Sequence, residues 1–451
     1  MNDEIAADAV DAEVEVLSPS LTSGNRPSAS RPAAKIRRIL GKFGPGIVTG
    51  ASDDDPSGIA TYSQVGAQFG FAMLWTMLFS YPLMAGIQEI SAWIGRVTGM
   101  GIAANIRRHY SVWVLYPIVV LILFANVINI GADIGAMGSA LRLVIGGSAL
   151  FNAVGFGTIS VLAAVFVPYH QYARVLKWSA LVLLVYIATA FAVDVPWHRA
   201  LIATVTPHIT LSKSYMTALT AVFGTTISPY LFFWQASQEV EEQEAAEGEM
   251  ALKLAPEQEA SQLEPMRADT FLGMAISNVI AFFIILDTAA SLHLHGVTDI
   301  QSATQAAESL RPFAGELSFL LFSLGIVGTG LLAVPILAGS AAYALAEAFK
   351  WRTGLERPLE KAPAFYGVLS VATLLGLAMN FTSLNPIRAL FWSAVINGVV
   401  AVPVMIVMML MTANPKVTGQ LRLSLLQKIV GWAATIVMLL VMIGMIANWN
   451  D

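Results

Sequence analysis

Apolar stretches of membrane-crossing length alternate with short polar gaps along most of this chain. Eleven stand out, at about 45–67, 70–94, 112–137, 149–168, 174–194, 214–238, 269–288, 313–346, 363–381, 386–411 and 427–447. Each is long enough to cross a hydrocarbon core of about 30 Å as a helix. The eighth exceeds one crossing and is expected to project beyond the bilayer. The predicted fold class is an all-α polytopic membrane protein. Composition agrees, because 56% of residues are hydrophobic and 12% charged, where a soluble domain carries about 25% charge. A soluble protein would have to bury nearly a dozen such runs.

Two of the runs are interrupted. The first contains Asp53, Asp54 and Asp55, followed at once by Pro56, Ser57 and Gly58. The sixth reads Thr225, Thr226, Ile227, Ser228, Pro229, Tyr230. Each proline lacks an amide donor and clashes with the preceding helical turn, and Gly58 adds backbone freedom. The freed backbone groups must be satisfied by protein, water or an ion. The breaks lie five runs apart. That spacing is expected of two five-helix repeats of inverted topology, with the substrate site where the broken helices meet near the bilayer midplane. The expected layout is a cytoplasmic tail over 1–40 and a transporter domain over 41–447. The domain divides into repeats at about 45–194 and 214–411 and an extra helix at 427–447. The tail is acidic, then rich in Ser, Pro and Ala, and reads as disordered.

Charge orients the chain. With the N-terminus inside, the inner loops hold Arg96, Arg107, Arg108, Arg174, Lys177, Lys350, Arg352, Arg357, Lys361, Lys416, Arg422 and Lys428. The outer loops hold chiefly Arg142, Arg199, Lys213 and Arg311, while Lys35, Arg37, Arg38 and Lys42 precede the first run. The positive-inside rule places the N-terminus in the cytoplasm and the C-terminus outside the cell membrane. The first basic residue is Arg26, so the start lacks the pattern of a signal peptide. The acidic stretch 239–265 reads as a solvated inner connector with a short amphipathic helix. His198 and His208 are spaced irregularly and read as surface residues. The basic cluster before the first run reads as a membrane anchor, and nucleic acid is not an expected partner. The expected partners are divalent ions and lipid, and a path inside one bundle makes a monomer the expected state.

Intramembrane acids mark ion or proton paths. Asp55 is the strongest ligand candidate, because an unwound segment presents both its carboxylate and nearby carbonyls. Asp54 lies about 100° round a helix from it and suits an entry vestibule or an outer layer of the site. Asp53 has a structural or pathway role as readily as a direct one. Across the gap, the Ser228 hydroxyl and the carbonyls of Thr225, Thr226 and Ile227 offer oxygen, and Tyr230 offers a phenol or a packing surface. Cysteine is absent from the chain and no methionine lies at the sixth break. An all-oxygen site suits Mg²⁺, Ca²⁺ or Mn²⁺. Ser57, Gly58 and Ser228 are small enough to leave room for the waters Mg²⁺ retains, and they serve equally for helix packing. Glu89, Asp133 and Asp287 are further intramembrane acids suited to proton relay, gating or structure. Asn126, Asn129, Asn278 and Asn397 suit either a lining or a helix-binding role.

At these residues the sequence resembles the Nramp family of divalent-metal transporters over about residues 40–447. The run GPGIVTGASDDDPSGIATYSQVGAQFG resembles the family's first-helix signature, usually Asp-Pro-Gly-Asn with Asp and Asn as metal ligands. Here Asp55 keeps the acid and Gly58 replaces the Asn. In the sixth-helix signature, Ser228 stands where the metal-selecting Met would be, Tyr230 where the His would be, and Thr225 where a carbonyl binds metal. The resemblance implies a LeuT-like bundle with alternating access, and no enzyme and no cofactor. The missing thioether removes a filter for softer metals. The combination resembles the Nramp-related magnesium transporters, which implies largely hydrated Mg²⁺ as substrate, Mn²⁺ as a second one, and no usual proton coupling. Tyr230 does not replace a histidine that titrates near neutral pH, given a phenol's reference pKa near 10. A proton-coupled Mn²⁺ or transition-metal symporter is the alternative.

Overall fold

Proline marks the start of helix after helix, because its missing amide is one the first turn never uses. In the computed structural model the described residues are 44–168, 171–172 and 178–449, and they form helices and turns without a strand. The expected tail 1–40, the basic cluster from Lys35 to Lys42, and Arg174 and Lys177 lie outside the described residues.

The first run is split as expected. Helix α1, Pro45–Asp53, ends at Asp54, and α2, Pro56–Phe69, begins after Asp55. Next come α3 at Trp75–Thr98, α4 at Ile102–His109, α5 at Val112–Ile145 and α6 at Ala149–Phe166. A short 3-10 turn, Ser179–Leu183, leads into α7 at Leu184–Ala190, and α8 spans Trp197–Val205. The sixth run is split into α9, Lys213–Thr226, and α10, Pro229–Ala245. Beyond single-turn helices at Arg311–Ala314 and Pro415–Thr418, the helices that follow are α11 at Glu259–Ser291, α12 at Ala303–Glu308, α13 at Ser318–Phe349, α14 at Pro363–Met379, α15 at Pro386–Ala413 and α16 at Leu425–Ala447.

All eleven runs therefore meet helix, but fewer are full-length crossings. Among the described residues, seven helices are long and apolar enough to span a membrane, or eight if Pro56–Met73 and Trp75–Thr98, bent by 109°, count as one. The difference has physical causes. The first run is divided into halves of 9 and 14 residues, and α14 has only 17. The described part of the fifth run is a 3-10 turn and the 7-residue α7. Helices α5 and α11 are longer than expected, at 34 and 33 residues. The amphipathic α4 was not marked by the run pattern, since its basic last turn, Arg107 to His109, lies in a polar gap.

Small residues bring the broken helices close to their neighbours. A methyl on Gly50 would sit 2.3 Å from the Gly273 carbonyl oxygen, so α1 and α11 touch backbone to backbone. A methyl on Gly224 would sit 2.0 Å from the Ala394 carbonyl, which does the same for α9 and α15. Asp269 on α11 accepts hydrogen bonds from the Gly46 and Ile47 amides at 2.7 and 3.3 Å. A carboxylate from a neighbouring helix thus satisfies the start of α1, whose own cap residue, Gly44, has no side chain to do so.

Polar contacts tie segments together at each end of the bundle. At one end, Arg96 binds Glu239 at 2.6 Å and Glu249 at 2.9 Å, and also Glu242. The Leu252 and Lys253 amides donate to the Arg96 and Val97 carbonyls at 3.0 and 2.9 Å. The acidic stretch is thus a docked turn between two extended helices, not a free connector with its own amphipathic helix. At the other end the Ile300 amide donates to Gln64 at 2.8 Å, and Asn385 donates to the Gln301 carbonyl at 3.0 Å.

Candidate metal centre

An acid immediately before Pro-Ser-Gly is well placed to cap a helix. Asp55 is the residue before α2, in extended backbone geometry, with Pro56 at the first helical position. Its Oδ1 accepts the Gly58 amide at 2.7 Å and the Ser57 hydroxyl at 2.8 Å. Its Oδ2 accepts the Asn129 side-chain amide at 3.0 Å, across from α5. The same Asn129 nitrogen lies 3.5 Å from Asp133 Oδ2, one turn further along α5. Asn129 Oδ1 and Asp133 Oδ1 are buried with no hydrogen-bond partner. Asp55, Asn129 and Asp133 therefore form a buried oxygen-rich strip beside the break. The spacing of Asn129 and Asp133 carries the missed signal, because residues four apart share one helix face.

The second break meets the first. A Cβ on Gly58 would lie 3.0 Å from Thr225 Oγ1, so glycine lets α2 approach the end of α9. The room that Gly58 was expected to leave for water is occupied here by the Thr225 hydroxyl. Ser228 precedes α10 but does not cap it. Its hydroxyl donates back to the Thr225 and Gly224 carbonyls, at 2.8 and 3.1 Å, closing the end of α9. Tyr230 donates its phenol to the Ser52 carbonyl at 3.1 Å, which pins α10 to the end of α1. Carbonyl ends of α1 and α9 favour cations nearby, as the negative poles of helix dipoles do.

The acidic run divides. Asp55 turns to α5, while Asp53 Oδ2 and Asp54 Oδ1 both reach the Ser277 hydroxyl on α11, at 2.7 and 3.1 Å. Among the described residues, no three carboxylate or imidazole groups converge as a metal-binding cluster. The structure thus brings together Asp55, Ser57, Gly58, Thr225, Ser228 and Tyr230, adds Asn129 and Asp133, and sets Asp54 apart with Asp53.

The other acids lie elsewhere. Glu89 pairs with Arg267 at 2.5 Å and accepts from Gln427 at 2.7 Å. Asp287 is fully buried with neither oxygen hydrogen-bonded. Asn126 and Asn278 tie helices by donating to the Leu337 and Met77 carbonyls at 2.9 and 3.0 Å.

Comparison with known proteins gives a consistent family and fold. The model of the Nramp family, described as natural resistance-associated macrophage protein-like, matches residues 46–448. The divalent metal cation transporter MntH of Klebsiella pneumoniae subsp. pneumoniae is 27% identical over 417 residues, covering 90% of this chain and 93% of that protein. The manganese transporter of Eremococcus coleocola superposes with a TM-score of 0.69 at 16% identity, covering 94% of this chain and 90% of its own. MhsT, solved with L-phenylalanine, superposes with a TM-score of 0.60 at 13% identity, covering 89% and 98%. The all-helical LeuT-like bundle that the family resemblance implied is the fold this chain has.

Proposed function

The chain belongs to the Nramp family, and from that premise we propose that it carries divalent cations into the cytoplasm by alternating access. The substrate is hydrated Mg²⁺, with Mn²⁺ as a second ion, and no proton is obligatorily carried. The single observation behind this choice is the donor set at the two breaks, which is oxygen throughout: Asp55, Ser57, Asn129, the Thr225 carbonyl and Ser228. Oxygen donors suit hard cations, and Mg²⁺ loses its water reluctantly. The N-terminus is read as cytoplasmic from the loop charges, and no covalent step is involved. MntH and the Eremococcus coleocola protein are by name transporters of divalent metal and of manganese, which supports a divalent cargo.

Coordination at Asp55 requires its carboxylate to release one of the bonds from Gly58, Ser57 or Asn129. Rotation of α1 and α9 against α2 and α10 at the Asp54 and Ile227 joints supplies that release, because neither joint carries a continuous helical ladder. One observation favours the proton-coupled reading. Asp133 lies beside Asp55 with an unpartnered oxygen, as a proton acceptor in the same chamber would.

Ser228→Met tests the donor-set reading. A thioether there narrows the chamber and favours softer ions. Competition uptake into sealed vesicles is expected to show the Mg²⁺-to-Mn²⁺ preference falling by about tenfold, or ~1.4 kcal/mol. An unchanged ratio with normal expression would sink the donor-set account.

A further inference from the structure

Cations gathered without a counter-charge repel one another, and an anion relieves that repulsion. Three segments far apart in sequence bring such a group together where spanning helices end. His109 ends α4 just before α5, and Lys416 lies just after α15. Both α5 and α15 are long enough to cross a membrane. Helix α4 packs against the single turn Pro415–Thr418. Lys253, from the docked acidic turn, donates to the Lys416 and Val417 carbonyls at 2.7 and 3.0 Å. Gly419 admits the lysine stem, since a Cβ there would lie 3.1 Å from Lys253 Cγ.

His109 sits among these cations. Its Nε2 is buried with no hydrogen-bond partner. Burial, then Lys253, Arg108 and Lys416, hold its pKa below the usual histidine value, and no carboxylate is among the groups acting on it. Among the described residues, none of Arg108, Lys253 and Lys416 pairs with a carboxylate. Lys253 has three donor protons, and its two carbonyl bonds use two of them. The cluster therefore holds uncompensated positive charge and an unused imidazole nitrogen.

Its rim is apolar. Leu254, next to Lys253, is 75% exposed, and Trp113, in the first turn of α5, is 85% exposed. Exposed tryptophan beside basic residues at a helix end is the pattern of a membrane–water interface. A free phosphate gains nothing from such side chains. A phospholipid sets its headgroup on the cations and its chains against the apolar rim.

We infer that Arg108, His109, Lys253 and Lys416 form a site for the headgroup of an anionic phospholipid. The phosphate lies among the four side chains, and Leu254 and Trp113 face the acyl region. A lipid held there ties α4, the docked turn and the connection from α15 to α16 to one another. The site is independent of the transported ion. Only its leaflet, the cytoplasmic one, rests on the proposed orientation.

The test is an NMR titration of His109 in the full-length protein in neutral detergent, with the signal assigned by its loss in His109→Gln. Phosphatidylglycerol added to the micelles should raise the His109 pKa in a saturable way, because a nearby anion favours the imidazolium. Phosphatidylcholine and inorganic phosphate should leave it unchanged. Arg108→Gln combined with Lys416→Gln should weaken phosphatidylglycerol binding by about thirtyfold, or ~2 kcal/mol. Both side chains are exposed, so folding should persist. A pKa that phosphatidylglycerol does not move, or that phosphatidylcholine moves equally, overturns the site. An equal rise with inorganic phosphate alone overturns the lipid assignment, and so does undiminished binding by the double variant. If that variant fails gel filtration, the titration of the unaltered protein still decides.

Discussion

Asp55→Ala is expected to reduce Mg²⁺ and Mn²⁺ uptake by at least about 100-fold, toward the leak of empty vesicles. Groups that only orient a metal ligand already cost about 10–100-fold when removed, and Asp55 is the charged donor of the proposed site. The competing explanation is structural, because Asp55 also caps α2. Loss of a cap costs only about 0.5–2 kcal/mol, too little by itself to empty a bundle this size. Asp55→Asn separates the two roles. Asparagine caps as well as aspartate but carries no charge, so it should restore thermal stability without restoring uptake. Recovery of uptake in Asp55→Asn would mean that capping was the essential duty.

The largest expected loss of stability comes from Arg96→Ala. Arg96 is buried, and so is Glu239, which is 1% exposed at its side chain. Removing the guanidinium strands that carboxylate, a change that typically costs roughly 3–5 kcal/mol. Glu242 and Glu249 add little, being 48% and 35% exposed, because water screens such pairs to about 0–1 kcal/mol each. A marked fall in the detergent melting temperature is therefore expected. Arg96→Ala combined with Glu239→Gln should recover much of it, since the stranded charge is gone. An unchanged melting temperature in Arg96→Ala would show that this end of the bundle does not depend on the pair.

The sequence made the breaks legible because proline and buried acid are costly in a membrane helix, and their positions alone implied the inverted repeats. Asp55, Ser228 and Tyr230 were legible as break residues. Their actual bonds were not, since Ser228 turning back to Thr225, or Tyr230 reaching Ser52, depends on tertiary approach. Asn129 and Asp133 share one helix face by their spacing, but which neighbour that face meets was not legible until α2 was placed against α5. The division of the acidic run had the same cause, as Ser277 looked like any small residue on α11. The eleven runs outnumber the long unbroken helices among the described residues, because the first run is split between α1 and α2 and α14 has only 17 residues. The docked acidic turn was hidden for a related reason: Arg96 and its three partners lie more than 140 residues apart.

Uptake into proteoliposomes, with Mg²⁺, Mn²⁺ and internal pH recorded together, tests the central claim most directly. Entry of both ions with net inward positive charge and no internal acidification is the expected result. Entry of Mn²⁺ with matching acidification, and no entry of Mg²⁺, would contradict it.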